Sequence, residues 1–200
     1  MDLPYYLVAL PQLNDEKFSR SVILITHQDK DGAQGFILNC PLASEGNAQA
    51  QMVAEVKDSE GETLFEYEEL LFDGGPVGSD TLFALHGIEA QAEGDTKITE
   101  GLYMANNPEA FHKLLESEDY REKRRFYVGA TSWGPGQLES ELRTSSWMAV
   151  PFQKNFVFES FEEGDDEETW RDELWMKVLR FGGGDPFRMM GQGTVDLGYN

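Results

Sequence analysis

The sequence predicts a single α+β domain, and three observations support this fold class. Short apolar runs typical of strands are spread along a chain of 200 residues. Helix-like segments lie among them without strict strand–helix alternation, and no linker separates two self-sufficient halves. A chain of this length is sufficient for one well-packed core. We therefore expect one domain over residues 1–181 and a glycine-rich C-terminal tail over residues 182–200.

Predicted strands come from β-branched and apolar runs that are bounded by proline, glycine or aspartate. They are Tyr5–Leu10, Val22–His27, Gly35–Asn39, Glu66–Phe72, Thr81–His86, Leu102–Ala105, a strand beginning at Phe126 and a last strand at Phe156–Phe158. The Asp31-Gly32 pair predicts a hairpin between the second and third strands. Gly74-Gly75-Pro76-Val77 predicts a sharp bend.

Helices are predicted where apolar residues recur at helical spacing. The candidates are Asn47–Lys57, Pro108–Glu118 behind an Asn106-Asn107 cap, and Thr169–Arg180, whose apolar side carries Trp170, Leu174, Trp175, Val178 and Leu179. A further helix is predicted to begin at Pro135, with Gly134 at its cap, because proline suits the first helical turn.

The charge balance constrains the partners of the chain. The 37 acidic and 16 basic residues give a net charge of −21, which repels phosphate backbones and disfavours direct nucleic-acid binding. The densest basic cluster, Arg121–Arg125, is interpreted as a solvated helix end. The acidic run Glu159–Glu168 lacks the spacing of a calcium loop, so we interpret it as a solvated loop and predict no metal site.

Cysteine content and hydropathy indicate a cytoplasmic protein. Cys40 is the single cysteine, so no intrachain disulfide can form. No signal-like segment follows the N-terminus, and no run approaches the roughly 18 apolar residues of a membrane helix. We therefore predict a reducing cytoplasmic location and no membrane association.

Sequence motifs of known catalytic machinery are missing. His27, His86 and His112 have no metal-ligand spacing, and there is no Gly-x-Ser-x-Gly turn. Cys40 precedes a proline at a strand end, where a buried apolar thiol is commoner than a nucleophile. We assign no catalytic residue and no cofactor.

Two features are compatible with anion binding. The backbone N–H groups of Gly136 and Gln137 could receive an anion at the predicted helix start, although a tight structural turn is the favoured alternative. Arg20 lies between two serines at the entrance to a strand, where its guanidinium could hold a carboxylate or phosphate. For Arg20 the favoured alternative is an ion pair with one of the many acidic residues.

Four ordered blocks give a family resemblance. They are Phe18–Ile23 (FSRSVI), Gly32–Leu42 (GAQGFILNCPL), Gly74–Val77 (GGPV) and Gly129–Glu139 (GATSWGPGQLE). In these blocks the chain resembles the AlgH/YqgE-like family of bacterial proteins. The resemblance implies a bent, partly barrel-like mixed sheet flanked by helices and a cytoplasmic bacterial protein, and it implies no known activity. Family members are commonly labelled transcriptional regulators, without a recognised DNA-binding motif. Cys40 stands where the family pattern has a lysine.

The resemblance supplies a set of candidate site residues. They are Arg20, Asn39, Gly74, Gly75, Trp133, Gly134 and Gln137. We hypothesise that some of them line one concave surface around the start of the Pro135 helix and bind a small anionic ligand or a protein partner's carboxylate. The leading interpretation is a non-enzymatic regulatory or binding protein. The alternatives are an enzyme of unrecognised type that uses Arg20 and Trp133, and a transcriptional regulator.

Overall fold

The computed structural model describes residues 1–42, 51–57, 63–89, 93–116, 118–161, 165–185 and 188–189. Its strands are β1 (Tyr5–Ala9), β2 (Val22–Asp29), β3 (Gly32–Ile37), β4 (Gln51–Lys57), β5 (Thr63–Asp73), β6 (Val77–His86), β7 (Thr96–Thr99), β8 (Leu102–Ala105), β9 (Arg124–Trp133) and β10 (Trp147–Pro151). Its α-helices are α1 (Pro108–Leu115), α2 (Gln137–Arg143) and α3 (Glu167–Phe181). Short 3₁₀ helices cover Glu118–Lys123 and Lys154–Phe156.

The strands form one curled, half-barrel sheet in the order β10-β1-β2-β3-β9-β6-β8-β7. Neighbours along this path are antiparallel, whereas β5 runs parallel to Phe126–Val128 of β9 and pairs with β4 on its other side. Because β3, β5 and β6 all pair with β9, this strand is the centre of the sheet. The predicted α+β domain with a bent, partly barrel-like mixed sheet is confirmed.

The helices cover both faces of this sheet. On β1, Tyr6 and Val8 belong to the large core cluster under α3, whereas Tyr5, Leu7 and Ala9 belong to the cluster under α2. A third, smaller cluster lies under α1. This division follows from the period of two along a strand, which sends alternate side chains to opposite faces.

The amphipathic prediction for α3 is confirmed. Its five buried residues are the five predicted ones, Trp170, Leu174, Trp175, Val178 and Leu179. The Trp175 indole also donates a hydrogen bond to the Ala9 carbonyl at 2.7 Å, which ties α3 to β1. No helix in the described part of the chain combines the length and apolar character that a bilayer crossing requires.

The cap prediction for α1 is also confirmed. Asn107 is the N-cap, and its Oδ1 accepts a hydrogen bond from the Ala110 N–H at 2.9 Å. An asparagine cap of this kind satisfies one of the backbone donors that a helix start leaves open. The helix begins at Pro108, as predicted.

The helix predicted over Asn47–Lys57 is wrong where the structure describes it. Residues 51–57 form β4, and residues 47–50 lie outside the described residues. Met52, Ala54 and Val56 also recur with the period of a strand, so the short run fits both patterns. Pairing with β5 satisfies the backbone groups on one edge of β4 and decides between the two patterns.

The strand predicted at Phe156–Phe158 is also wrong. The chain forms a 3₁₀ helix over Lys154–Phe156, and Phe156 and Val157 pack into the large core cluster without strand pairing. The last strand is β10, which pairs antiparallel with β1. Apolar side chains alone indicated burial there, and burial does not require a strand.

Half of the basic cluster departs from the predicted solvated helix end. Arg121 and Lys123 are exposed at the end of a 3₁₀ helix, but Arg124 and Arg125 are the buried first residues of β9. Arg124 donates to the Glu69 carboxylate and to the Leu114 carbonyl. Since residues on a strand alternate, Arg125 points to the opposite face, under α3.

His86 is a buried structural residue, and it makes stability depend on pH. Its buried ring accepts from the Ile88 N–H at Nδ1, so Nε2 carries the proton and donates to Asp95 Oδ2 at 2.9 Å. Burial lowers the pKa of His86, against the opposing effect of Asp95. The Tyr103 ring stacks on the imidazole at 5.5 Å, and Arg124 is its register partner on β9.

We expect the free energy of unfolding to fall as the pH drops below about 6.5, because the unfolded histidine then takes up a proton that the folded state excludes. The His86 contribution to this slope is at most about 1.4 kcal/mol per pH unit. Urea unfolding at several pH values should show a flatter profile for His86→Gln than for the parent protein. Equal slopes in the two proteins would exclude this role.

Candidate functional site

The motif around Arg20 forms a strained turn that leads into β2. Arg20 has a φ of 56°, the left-handed region, which costs a non-glycine residue roughly 1–2 kcal/mol. Asn39 holds this conformation, because its Nδ2 donates to the Arg20 carbonyl at 2.9 Å and its Oδ1 accepts from the Val22 N–H at 2.8 Å. Backbone strain of this kind is often retained at functional sites.

Asn39 also connects the turn to α3. The same Nδ2 group donates to the Arg171 carbonyl at 3.0 Å, and the Asn39 side chain is completely buried. The Arg171 guanidinium returns the contact, since Nη2 donates to the carbonyls of Lys17 and Ser19 at 3.0 and 2.8 Å. The end of β3, the turn before β2 and α3 are therefore fixed to one another.

Asp73 connects the Gly74-Gly75 bend to the turn that contains Arg20. Lys17 forms an ion pair with Asp73, whose other oxygen accepts from the Gly75 N–H at 2.9 Å. Gly74 bridges the two strands beside it, since its N–H donates to Val128 and its carbonyl accepts from Ile37. We call the convergence of Lys17, Arg20, Asn39, Cys40, Asp73, Arg171 and Asp172 the Arg20 junction.

The Arg20 side chain pairs with Asp172 of α3, which confirms the ion-pair alternative. The hydrogen bond to Asp172 raises the pKa of Arg20. The Arg20 side chain is 45% exposed, and a pair this accessible contributes only about 0–1 kcal/mol to stability. The second carboxylate oxygen of Asp172, Oδ1, is buried and has no hydrogen-bond partner among the described residues.

Cys40 lies partly buried in the Arg20 junction. Burial raises the pKa of its thiol, although the positive charges of Arg171 and Lys17 act in the opposite direction. The thiol is therefore protonated near neutral pH, which agrees with the prediction that Cys40 is not an activated nucleophile.

Trp133, Gly134 and Gln137 lie in a second group, on the α2 side of the sheet. Glu141 joins them, because its carboxylate accepts from the Trp133 indole at 2.9 Å and from the Gln137 amide at 2.9 Å. Gln137 in turn accepts from the Gly134 N–H at 3.0 Å. The Trp147 indole on β10 also donates to Glu141, at 2.8 Å. We call this arrangement the Glu141 clamp.

The start of α2 differs from the prediction. The helix begins at Gln137 with Gly136 at its N-cap, rather than at Pro135 with Gly134 at the cap. The Gln137 N–H is not free for an anion, because it donates to the Gly134 carbonyl at 3.1 Å. The favoured alternative of a tight structural turn therefore describes this segment.

The structure thus divides the seven candidate positions into two groups. Arg20, Asn39, Gly74 and Gly75 meet at the Arg20 junction, and the other three form part of the Glu141 clamp. Sequence reasoning missed four carboxylate and guanidinium partners, Asp73, Glu141, Arg171 and Asp172. Glu141 alone carried a local signal, since it lies four residues after Gln137 on the same helical face.

Two acidic residues in the described part of the run Glu159–Glu168 make contacts that stabilise α3. Asp166 is the N-cap of α3, and its side chain accepts from the Thr169 N–H at 2.8 Å. Glu159 pairs with Lys177 at 2.5 Å. Residues 162–164 lie outside the described residues. Within the described ranges no group of three or more His, Cys, Asp and Glu side chains could hold a metal ion.

The fold and the two motif groups define a single-domain α+β protein with a curled sheet and helices on both faces. The model of the AlgH-like family matches residues 6–186, and the chain belongs to this family. A UPF0301 protein from Stenotrophomonas maltophilia (strain R551-3) is 33% identical, over 78% of this chain and 80% of that protein. A UPF0301 protein from Shewanella sp. (strain ANA-3) is 28% identical, over 94% of this chain and 95% of its own length.

Two solved structures share the fold. The solution structure of the AlgH protein from Pseudomonas aeruginosa has a TM-score of 0.65 and 18% identity, over 98% of this chain and 95% of that one. The crystal structure of protein DIP2367 from Corynebacterium diphtheriae has a TM-score of 0.61 and 23% identity, over 95% and 90% of the two chains. The family predicted from the four sequence blocks is confirmed.

Proposed function

We propose that this chain is a non-enzymatic binding protein whose Arg20 junction holds a small anionic ligand, a carboxylate or a phosphate, in place of Asp172. The observation that carries the proposal is the Arg20 guanidinium, which is exposed yet fixed on a strained turn. Asn39 supplies the hydrogen bonds that hold this turn. A preorganised guanidinium can bind either kind of anion through two parallel hydrogen bonds.

Local charge supports this choice of ligand. The chain as a whole is strongly acidic, but at the junction three cations, Lys17, Arg20 and Arg171, meet two carboxylates, Asp73 and Asp172. Because the exposed Arg20–Asp172 pair is weak, an incoming anion can replace Asp172 at a small cost in free energy. The exchange would release the Arg20 turn from α3, which gives the ligand a route to a regulatory effect.

The chemical groups at the junction favour binding over catalysis. Lys17, Arg20 and Arg171 supply cations, and Asn39 supplies an amide that is already committed to backbone groups. The pKa of the Cys40 thiol is raised, which is the wrong direction for a nucleophile at neutral pH. Turnover of a bound ligand would replace this proposal with the enzyme alternative.

A thermal-shift panel of nucleotides, phosphorylated metabolites and dicarboxylates tests the proposal. A ligand at a hundred times its dissociation constant should add about 2.7 kcal/mol of stability. We expect Arg20→Ala to abolish the shift while changing the stability of the free protein by less than about 1 kcal/mol. Arg188→Ala is the matched control, since Arg188 also forms an exposed ion pair with an aspartate.

Three further outcomes are informative. Gln137→Ala should keep the ligand response, because the Glu141 clamp is separate from the Arg20 junction. A ligand shift that persists in Arg20→Ala would contradict the proposed site. A panel without any shift would favour a protein partner's carboxylate over a free ligand.

A further inference from the structure

Arg125 is a buried cation under α3 with an unused hydrogen-bond donor. The residue is 8% exposed, and its guanidinium lies 4.4 Å from the centre of the Phe72 ring and 5.5 Å from that of Trp170. Nη2 donates to the Glu159 carbonyl. Nη1 is buried and has no hydrogen-bond partner within the described part of the chain.

Tyr127 presents a second unused donor on the same face of β9. Its side chain is fully buried against the rings of Phe36 and Phe72, at 5.6 and 5.9 Å. The Arg125 guanidinium lies beside its hydroxyl oxygen and can only donate to it, so the O–H proton has no acceptor among the described residues. Burial raises the pKa of Tyr127 to about 12, against the opposing charge of Arg125. The hydroxyl is therefore protonated at neutral pH and can donate.

The neighbouring residue, Arg124, has a hydrogen-bonded carboxylate partner, whereas the acceptor of Arg125 is a backbone carbonyl. Arg124 is buried on the opposite face and pairs with the Glu69 carboxylate. The carboxylate whose charge acts on Arg125 is that of Glu159, and it is paired with Lys177 at 2.5 Å. A buried charge without a hydrogen-bonded counter-ion is costly, so the Arg125 position favours a negatively charged acceptor from outside the chain.

We propose that Nη1 of Arg125 and the hydroxyl of Tyr127 bind the carboxylate of a small ligand inside the curl of the sheet. A guanidinium and a phenol provide the two donors that one carboxylate accepts. Phe72, Phe161 and Trp170 surround the donors with apolar rings, since the Phe161 and Trp170 rings lie 4.8 Å apart and the Phe72 and Phe161 rings 5.8 Å apart. This apolar lining selects a carboxylate with a short hydrocarbon body over a strongly hydrated phosphate.

The Glu159–Phe161 segment covers this site. Besides the Glu159 contact, the Ser160 carbonyl accepts from the Trp170 indole at 2.6 Å. Trp170 therefore contacts both the covering segment and the Arg125 guanidinium, and its fluorescence reports on the site. This site shares no residue with the Arg20 junction, although Phe72 and Trp170 directly precede Asp73 and Arg171 in the chain.

Titration with sodium formate, acetate, propionate and butyrate, against sodium chloride at equal ionic strength, tests the proposal. Thermal unfolding and tryptophan fluorescence are followed together. We expect a saturable response that strengthens with chain length, and at a hundred times the dissociation constant the folded-to-unfolded ratio rises about a hundredfold. Trp170→Phe should remove the fluorescence change, because the Trp170 indole is the one that contacts the Arg125 guanidinium.

Tyr127→Phe keeps the ring and removes only the hydroxyl, so it should fold and bind the carboxylates about tenfold more weakly. Tyr5→Phe is its control, since the Tyr5 hydroxyl donates to Gln28 on the other face of the sheet. Arg125→Met should abolish the response, and Arg188→Ala, at an exposed ion pair outside both sites, should leave it unchanged. The proposal is overturned if no carboxylate exceeds chloride, or if Tyr127→Phe binds as tightly as the parent.

Discussion

Alanine at Gly129 is expected to destabilise the domain by more than about 4 kcal/mol. Gly129 has a φ of 71°, and a Cβ there would lie closer than 3.0 Å to the Gly75 carbonyl oxygen and 3.2 Å from that of Val77. Both atoms belong to backbone that the sheet fixes, so neither can move away cheaply. The close approach explains why the Gly74–Val77 and Gly129–Glu139 blocks occur together: they are two sides of one contact.

Gly136→Ala is the matched control for Gly129→Ala. Gly136 has the same φ of 71°, but no described atom lies within 4 Å of the position its Cβ would take. It should lose only the roughly 1–2 kcal/mol of left-handed backbone strain. Denaturant unfolding of the two variants separates strain from collision. Equal losses of stability would show that the close approach of the two strands is not important.

Removal of the Glu141 carboxylate is expected to cost about 3 kcal/mol in Glu141→Ala. The substitution leaves the indole N–H groups of Trp133 and Trp147 and the Gln137 amide without their shared acceptor. Hydrogen bonds to a charged group contribute about 1.5–3 kcal/mol each, and an unsatisfied buried donor carries its own penalty. Both indoles are only 5% exposed, so water replaces the carboxylate poorly.

Glu139→Ala is the control on the same helix. Its carboxylate is exposed and accepts from the Gln28 amide at 2.9 Å, so we expect a loss below about 1 kcal/mol. Denaturant unfolding of both variants, followed by tryptophan fluorescence, measures the difference. Similar losses for the two glutamates would mean that α2 is held by its apolar face and that the clamp adds little.

The elements with strong periodic patterns could be predicted from sequence. The apolar side of α3 was predicted residue by residue, because fifteen residues span enough turns to define one face. β4 could not, since its seven residues fit two periods and its pairing with β5 decides the structure. Phe156 was predicted in a strand because its apolar run indicates burial. A short apolar run looks the same in the sequence whether the chain forms a strand or a 3₁₀ helix.

The site was predicted as a set of positions but not as an arrangement in space. The four blocks contain Arg20, Asn39 and Gln137, but no local pattern indicates that Arg20 meets a carboxylate 152 residues later in the chain. Nor does it indicate that Gln137 bonds Glu141 rather than joining Arg20. The placement of Arg124 and Arg125 on opposite faces of the sheet could have been predicted, because a strand that begins at Arg124 sends alternate side chains to opposite faces. Both side chains are buried because helices cover both faces.

The most direct test of the anion site is amide chemical-shift mapping by NMR with the first ligand that raises the thermal stability of the protein. We expect saturable amide chemical-shift changes centred on Arg20, Val22 and Cys40 and on the α3 residues around Asp172. Shifts centred on the start of α2, around Gly134 and Gln137, would contradict it and return the site to the helix start.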